Sequence, residues 1–369
     1  MIWAELHAES ERLAIEAQLA LKARSTEQAI GLYRQAAEIE RKALDQIDVS
    51  KVRTRGVTAV SAVALWFKAG EYDYAEQLAH LMLADSQIPE FARGDLRDLV
   101  QAIWTESSKK KAGVSFVPGQ VMVSVKGGEV ITGGAPLDLI VDKVQTIQSM
   151  FYRTIEFLNG VTHRRVGRPT KELQEACRPW LFQSAPGSYQ FSVAIQKPSQ
   201  LDFFKNDIEP ERIAQHFLEI VSASSGDNTA ELERLVPDET YRSTFLKLVR
   251  NLAPTGKSFD QIELRTSGET RPVALGVESR NNINQQLRKK SVLPQKTEDI
   301  PEEFRGTLRA LHLDKDWLDV VVDGVSMHID GLQDGVDDVI GPMVNRSVIV
   351  RAVRASKNKF KFVDIELAD

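Results

Sequence analysis

The sequence is poor in the residues that build disulfide frameworks and metal centres. It contains a single cysteine and six histidines, and no two histidines stand at HxH or HxxxH spacing. The lone Cys177 excludes an internal disulfide and a cysteine-based zinc finger, and it suits a reducing compartment. We therefore predict no metal site, no cofactor and no nucleophilic role for Cys177.

Long apolar runs are missing as well. No uncharged apolar stretch approaches the roughly 20 residues that a membrane span needs. The first residues lack the basic and apolar regions of a secretory signal. These absences predict a cytoplasmic protein without a membrane segment. Its 369 residues, 42% hydrophobic and 27% charged, have a globular composition and suffice for two or three domains.

Motifs that mark catalytic or nucleotide sites are absent or incomplete. Residues 251–258 end in Gly-Lys-Ser like a phosphate-binding loop, but Asn251 stands where that motif has its first glycine. The segment also leaves a predicted helix and enters a predicted strand, so no helix N-terminus follows it. The aspartates after Asp314 lack the glycine and glutamate of a calcium loop. We assign no catalytic residue.

Apolar residues at helical spacing are abundant in the first 105 residues, which are rich in Ala, Leu, Glu and Gln. This pattern predicts five helices. A turn at Gly70 separates the third helix, 57–69, from the fourth, 72–84. Small residues at Ala75 and Ala79 allow these two helices to pack closely.

The Gly70-x-Tyr72-x-x-Ala75 pattern resembles the turn of a tetratricopeptide repeat, over roughly residues 26–105. The resemblance implies a helical domain, 1–107, that binds a protein partner in a concave groove. Only about one and a half to two hairpins are present, and solenoids usually need about three repeats. We therefore expect packing on the rest of the chain or in a homo-oligomer; alternatively, the helices only dock on neighbouring domains. The candidate partner-binding residues are Arg53, Arg55, Trp66, Tyr72 and Tyr74.

The middle of the chain alternates between strand and helix patterns, which predicts an α+β domain over 112–290. The glycine pair after the Val121–Val125 alternation predicts a two-residue hairpin to a strand at 129–132. A long amphipathic helix starts at Pro136. Further strands are predicted at 180–184, 188–196, 258–265 and 271–276, and helices at 210–221, 229–235, 238–252 and 280–290. Polar segments at 107–111 and 291–302 are predicted linkers.

The last 67 residues read as five short strands, at 304–313, 317–323, 325–329, 347–354 and 359–367. Five strands with tight turns suit a small β-barrel over 303–369, OB-like or SH3-like. The predicted fold class is therefore multidomain α+β: a tetratricopeptide-like helical domain, a mixed α+β middle domain and a C-terminal small β-barrel.

A basic loop offers an alternative function. Residues 163–171 resemble the Gly-Arg-Pro core of an AT-hook, although Val166 occupies a position where that motif has arginine. This loop could contact DNA, or it could be a surface loop that leads into a helix. Its candidate nucleic-acid-binding residues are Arg164, Arg165, Arg168 and Lys171.

The barrel carries a second basic segment. Residues 346–361 hold six basic side chains and no acidic one, with Phe360 and Phe362 interleaved. Cations with exposed aromatic rings bind single-stranded nucleic acid. However, the two phenylalanines share a strand face and are expected in the core, and the eight aspartates of 314–338 could pair with the basic strands. The candidate residues here are Arg351, Arg354, Lys359 and Lys361.

These observations favour a non-catalytic adaptor or sensor that binds a protein partner through residues 1–107. The layout also resembles that of bacterial accessory proteins, some of them associated with phage defence. One alternative is DNA or RNA binding through the two basic segments. The other is a hydrolase or nuclease with its site in the middle domain, which predicts acidic or histidine side chains with shifted pKa values in one pocket.

Overall fold

The computed structural model describes residues 3–23, 25–113, 116, 119–131, 133–182, 189–197, 212–227, 229–266, 272–291, 301–332, 336–356 and 359–368. The chain divides into two compact units. The helical unit comprises residues 1–115 with 182–187, and the sheet–barrel unit comprises 116–181 with 188–369. The predicted middle domain and barrel thus fall mostly within the same compact unit.

The helical unit contains five helices, α1 (Trp3–Lys22), α2 (Thr26–Asp45), α3 (Val52–Lys68), α4 (Tyr72–Ala84) and α5 (Glu90–Ala112). Each helix packs on the next, and α3 also contacts α5. Gly70 ends the α3–α4 turn at φ +73°, a left-handed conformation that glycine adopts without a side-chain clash. Ala75 and Ala79 are fully buried where the helices meet. This confirms a helical-repeat-like N-terminal region.

The segment 107–111, predicted as a linker, is helical. Helix α5 continues through its three lysines to Ala112 and ends at Gly113, which has φ +65°. Lysines near a helix C-terminus interact favourably with the helix dipole, and Lys109 also reaches back to Glu106 at 2.6 Å. The polar composition of residues 107–111 therefore did not indicate a linker.

The sheet–barrel unit begins with five strands, β1 (Val121–Lys126), β2 (Pro179–Phe182), β3 (Tyr189–Ile195), β4 (Gln261–Thr266) and β5 (Val273–Leu275). They form one sheet in the order β2-β3-β1-β4-β5. The helices of this part are α6 (Leu137–Leu158), α7 (Lys171–Ala176), α8 (Arg212–Ser225), α9 (Thr229–Leu235), α10 (Glu239–Leu252) and α11 (Val277–Ser291). The rings of Phe151 and Phe217 stack at 4.4 Å in the core that these helices share with β1. The first residues of the helix predicted at 210–221 lie outside the described part.

The predicted hairpin after β1 is wrong. Strand β1 pairs with β3 and β4, both antiparallel, and the only described ladder contact near 129–132 is a bridge between Ile131 and Gly134. Gly127 and Gly128 are both left-handed, at φ +76° and +61°. A Cβ on Gly128 would lie 2.5 Å from the carbonyl oxygen of Ser258. Glycine is therefore needed at this turn, because the backbone passes close to the main chain of a loop that is distant in sequence.

The last five strands are β6 (Glu302–His312), β7 (Trp317–Val322), β8 (Val325–Asp330), β9 (Ser347–Ser356) and β10 (Lys359–Leu367). They form a closed barrel in the order β10-β8-β7-β6-β9. All neighbours are antiparallel except β8 and β10, which are parallel. This confirms the five-stranded barrel. Most of the predicted second linker, 292–300, lies outside the described residues.

None of the described helices combines the length with the apolar character that crossing a lipid bilayer requires.

Candidate functional site

One end of the α3–α4 hairpin presents stacked aromatic rings. The rings of Trp66 and Tyr74 stack at 5.1 Å, and Tyr74 is 59% exposed. On the inner side, Phe67 and Tyr72 contact each other at 5.8 Å. Burial raises the pKa of Tyr72, with a further contribution from Glu106. Trp66, Phe67 and Tyr72 pack against the hydrophobic core of the helical unit, whereas Tyr74 is exposed to solvent.

Charged side chains from α2 and α3 frame this aromatic end. Arg34 of α2 forms an ion pair with Glu71, the residue that precedes α4. The Lys68 ammonium lies 5.7 Å from the centre of the buried Tyr33 ring. Because these contacts join α2 to the α3–α4 turn, the three helices share one surface there.

The opposite end of the hairpin is an ordered charged turn. Arg55 Nε lies 3.2 Å from Asp85 Oδ2. The Gln87 amide donates to Asp85 at 2.9 Å, and this bond, assisted by Arg55, holds the pKa of Asp85 below its usual value. Arg93 donates to the main-chain oxygens of Leu83, Asp85 and Ile88. These bonds fix the turn that follows α4.

A groove of about 370 Å³, here called the α2–α4 groove, opens at this charged end. It is lined by Arg41, Leu44, Asp45, Arg55, Leu81, Met82, Ala84 and Asp85. Leu81 is 54% exposed at its edge. Tyr74 and Leu81 stand seven positions apart, so they lie on one face of α4 about 10 Å from each other. The face of α4 therefore connects the groove to the aromatic end.

The predicted partner-binding residues thus divide between the two ends of the hairpin. Trp66, Tyr72 and Tyr74 lie at the aromatic end, while Arg55 lines the groove about 16 Å away along α3. Arg53 is exposed in the first turn of α3. Sequence reasoning missed Leu81, because the groove that it borders forms only when residues of α2, α3 and α4 are brought together.

The basic loop is bound to acidic side chains of the same unit. Arg164 Nε donates to Glu156 at 2.7 Å, and its Nη2 lies 3.3 Å from Asp338. Arg165 forms an ion pair with Asp316. The exposed cations of the predicted set are Arg168 and Lys171.

Some basic residues of the barrel strands are likewise paired with acidic side chains. Arg354 makes two bonds to Glu302, at 2.8 and 3.0 Å, and these raise the pKa of Arg354. Arg351 Nε lies 3.4 Å from Glu303. The pairing partners are therefore glutamates of β6, whereas the sequence suggested the aspartates of 314–338. Lys359 and Lys361 are exposed.

The two phenylalanines beside these lysines point into the barrel. Phe360 is 8% exposed and Phe362 3% exposed, which confirms their predicted place in the core. The guanidinium of Arg354 lies 4.9 Å from the centre of the Phe360 ring. Neither phenylalanine offers a free face on which a base could stack.

Cys177, Tyr241 and His216 in the middle region have shifted pKa values, and burial is the main cause of each of these shifts. Burial raises the pKa of the Cys177 thiol to about 12 and raises that of Tyr241, and it lowers the pKa of His216. His216 and Tyr241 both pack against the ring of Phe157. Among the described residues, no three His, Cys, Asp or Glu side chains are grouped to hold a metal ion. Core packing accounts for these shifts without a reaction.

Comparisons with known proteins complete the description of the site. No protein-family model, curated protein or solved structure matches the chain. The functional assignment therefore rests on the contacts described above.

Proposed function

We propose that the helical unit binds a segment of a partner protein along α4, between the aromatic end and the α2–α4 groove. The supporting observation is the exposure of Tyr74, at 59%, and Leu81, at 54%, on one helix face beside the groove. A single exposed leucine is ordinary on a protein surface. Contiguous exposed apolar surface marks protein-interaction sites, and Tyr74 and Leu81 place two large side chains on one helix face beside a concave surface.

The geometry favours an amphipathic helix as the partner segment. Its apolar anchors would stand two turns apart, matching the distance of about 10 Å between Tyr74 and Leu81. Arg41 and Asp45 pair at 3.3 Å within the groove, and Arg55 pairs with Asp85. These pairs balance each other, so we expect the partner's apolar contacts, rather than its net charge, to dominate the affinity.

We also propose that the five helices belong to the tetratricopeptide type. Gly70 occupies the left-handed turn, and Ala75 and Ala79 are fully buried at the helix contact. This placement supports the resemblance of the turn sequence. Partner binding is the usual role of such helical hairpins.

The test uses the full-length chain and two matched variants. Leu81→Arg places a charge in the proposed surface, and Leu19→Arg places the same charge on α1, where Leu19 is 59% exposed. We expect Leu81→Arg to weaken binding of a partner captured from the native host at least about tenfold, which corresponds to about 1.4 kcal/mol. Leu19→Arg should bind like the wild type. The reverse result would move the site to α1.

A second candidate function is nucleic-acid binding by the barrel. The Greek-key order with one parallel pair, β8 and β10, supports an OB-type over an SH3-like barrel. Exposed Lys359 and Lys361 lie on its outer surface. Because Arg351 and Arg354 are paired with glutamates, we expect weak binding of single-stranded DNA that falls with salt. Anisotropy titrations of the wild type and a Lys359→Ala/Lys361→Ala variant test this.

A further inference from the structure

The outer face of the barrel carries three aromatic rings in contact. His312 ends β6, Trp317 begins β7 and His328 lies on β8. The ring centre of Trp317 is 5.4 Å from that of His312 and 4.9 Å from that of His328. These three strands are neighbours in the barrel. The rings therefore form one continuous aromatic surface, here called the ring surface.

The alternation of side chains along the strands directs the ring surface away from the core. Leu318 follows Trp317 and is fully buried, and Ile329 follows His328 and is also fully buried. Successive side chains of a strand point to opposite faces. Trp317 therefore points outward and is partly exposed, and His328 is exposed. A ligand can reach these rings, unlike the two phenylalanines of β10.

Hydrogen bonds hold the two histidines in place. The Lys315 amide donates to His312 Nδ1 at 3.2 Å. His328 Nδ1 lies 2.6 Å from Asp319, the opposite residue on β7, and its Nε2 lies 3.3 Å from Asp330. Side chains that are already fixed lose little conformational entropy when a ligand binds. The ring surface is therefore organised for stacking.

Two lysines of β10 lie on the same outer face. Strand β10 is parallel to β8, with Phe360 opposite Ile329 and Lys361 opposite Asp330. Because Phe360 points into the core, Lys359 and Lys361 on either side of it point outward, and both are exposed. They stand about 7 Å apart along the strand. The ring surface therefore has two cations beside it.

Two carboxylates, Asp319 and Asp330, complete this face and balance the charge of the two lysines. Asp330 stands opposite Trp317 on the neighbouring strand. The Cβ atoms of opposite residues are about 5 Å apart, so a planar ring stacked on Trp317 has its edge near this carboxylate. An ionised carboxylate accepts hydrogen bonds and donates none. The face therefore favours a flat ligand that has hydrogen-bond donors on its edge.

We propose that this face binds single-stranded nucleic acid through bases that carry an exocyclic amino group. The inference rests on the nucleic-acid binding proposed above for the barrel, and it adds the surface that contacts the bases. A base stacks on Trp317 and His328, and its amino group donates to Asp330. Lys359 and Lys361 pair with backbone phosphates. Thymine and uracil have carbonyl oxygens instead of the amino group, so the carboxylate disfavours them.

Fluorescence anisotropy of the full-length protein tests this proposal. The probes are labelled oligodeoxycytidine and oligodeoxythymidine of equal length, at low salt and near neutral pH. We expect oligodeoxycytidine to bind at least about fivefold more tightly. The affinity for both strands should fall as salt is added. Labelled oligolysine is the competing probe, and we expect it to bind more weakly than either strand because its charges would lie beside Lys359 and Lys361.

Variants of Trp317 test the stacking. Trp317→Ala should weaken the binding of oligodeoxycytidine at least about tenfold, because the central ring is lost. Trp317→Phe retains a ring and should recover most of the affinity. If Trp317→Ala fails to fold, His328→Ala at an exposed position of the same surface serves instead, and it should weaken binding severalfold.

Asp330→Ala tests recognition of the amino group. It should bring the affinities for the two strands to within about twofold of each other. If the carboxylate only repelled phosphates, the variant would bind both strands more tightly and keep the preference. Glu231→Ala is the matched control, because it removes a negative charge from the exposed surface of α9, and it should leave the preference unchanged.

The results separate failure of this inference from failure of the function on which it rests. If the wild type binds neither strand, the barrel does not bind nucleic acid and both are wrong. If it binds the two strands equally, or if Trp317→Ala binds like the wild type while Lys359→Ala/Lys361→Ala binds weakly, only the ring surface is overturned. Tighter binding of oligolysine than of either strand would also overturn the proposal and point to a basic partner.

Discussion

Both units contain arginine–carboxylate pairs, but among the described residues only the sheet–barrel unit has arginines that are fully buried. In the helical unit, Arg12 is 54% exposed and pairs with Glu9 and Glu16 on the same helix. In the sheet–barrel unit, Arg153 and Arg250 are fully buried and pair with Asp338 and Asp364. Surface pairs contribute little to stability, whereas a buried pair cannot lose one partner cheaply. A run of basic residues in the sequence can therefore serve internal structure as readily as it serves a ligand.

Removing a buried arginine should have the largest effect. Arg250→Ala leaves Asp364 buried without its partner and should lower the free energy of unfolding by about 3–5 kcal/mol. Arg12→Ala, at the exposed pair, should leave the unfolding midpoint unchanged within error. Urea unfolding, with hydrogen exchange to assign the transition to a unit, measures both. Equal midpoints for the two variants would remove the contrast between the units.

A substitution in the glycine turn after β1 should cause the next largest loss of stability. Gly128→Ala combines φ +61° with a Cβ 2.5 Å from the Ser258 oxygen, and should cost about 3 kcal/mol or more. The matched control is Gly160→Ala, which has φ +63° and nothing within 4 Å of the added Cβ. It should cost about 1–2 kcal/mol, the strain of the left-handed backbone alone. Thermal unfolding of both variants isolates the contribution of the close approach.

Acid should weaken the buried pair selectively. Burial would raise the pKa of Asp364, but Arg250 outweighs that effect and holds it below its usual value. The stabilisation is therefore fully present above the unfolded pKa of about 3.9 and is lost as pH falls through the lower folded value. The gap in stability between wild type and Asp364→Asn should narrow below about pH 4. A gap that stays constant down to pH 2 would contradict the direction of this shift.

The last prediction concerns the reactivity of Cys177 and involves no change in stability. Cys177 is fully buried, and the pKa of its thiol is raised to about 12. Because the thiolate is the reactive form, the folded protein should not react with Ellman's reagent at pH 8. Reaction should be complete in denaturant. Rapid reaction of the folded chain would show that this part of the unit opens readily.

Periodicity predicted much of the fold, because helices and strands are local. The valines of β1 and the alternation around Phe360 and Phe362 placed strands within a few residues of their observed bounds. Contacts between distant residues were not predictable in this way. Gly128 meets Ser258, and Arg153 meets Asp338, 185 positions away, and no local pattern signals either contact.

The residues of the candidate site were also predictable only where they lie close together in the sequence. Tyr74 and Trp66 were found because an aromatic cluster beside a glycine turn is visible in the sequence. Arg41 and Leu81 were missed because the groove forms only when α2 and α4 are brought to the two sides of α3. Their roles depend on packing between helices that are 40 positions apart in the chain.

Site-specific photocrosslinking tests the central claim most directly. A photoreactive residue replaces exposed Gln77, which lies between Tyr74 and Leu81 on α4, or exposed Gln18 on α1 as the matched control. In the native host, we predict one dominant protein adduct from position 77 that is absent from position 18 and disappears with Leu81→Arg. Adducts of equal yield from both positions, or an adduct that persists with Leu81→Arg, would contradict a partner site on α4.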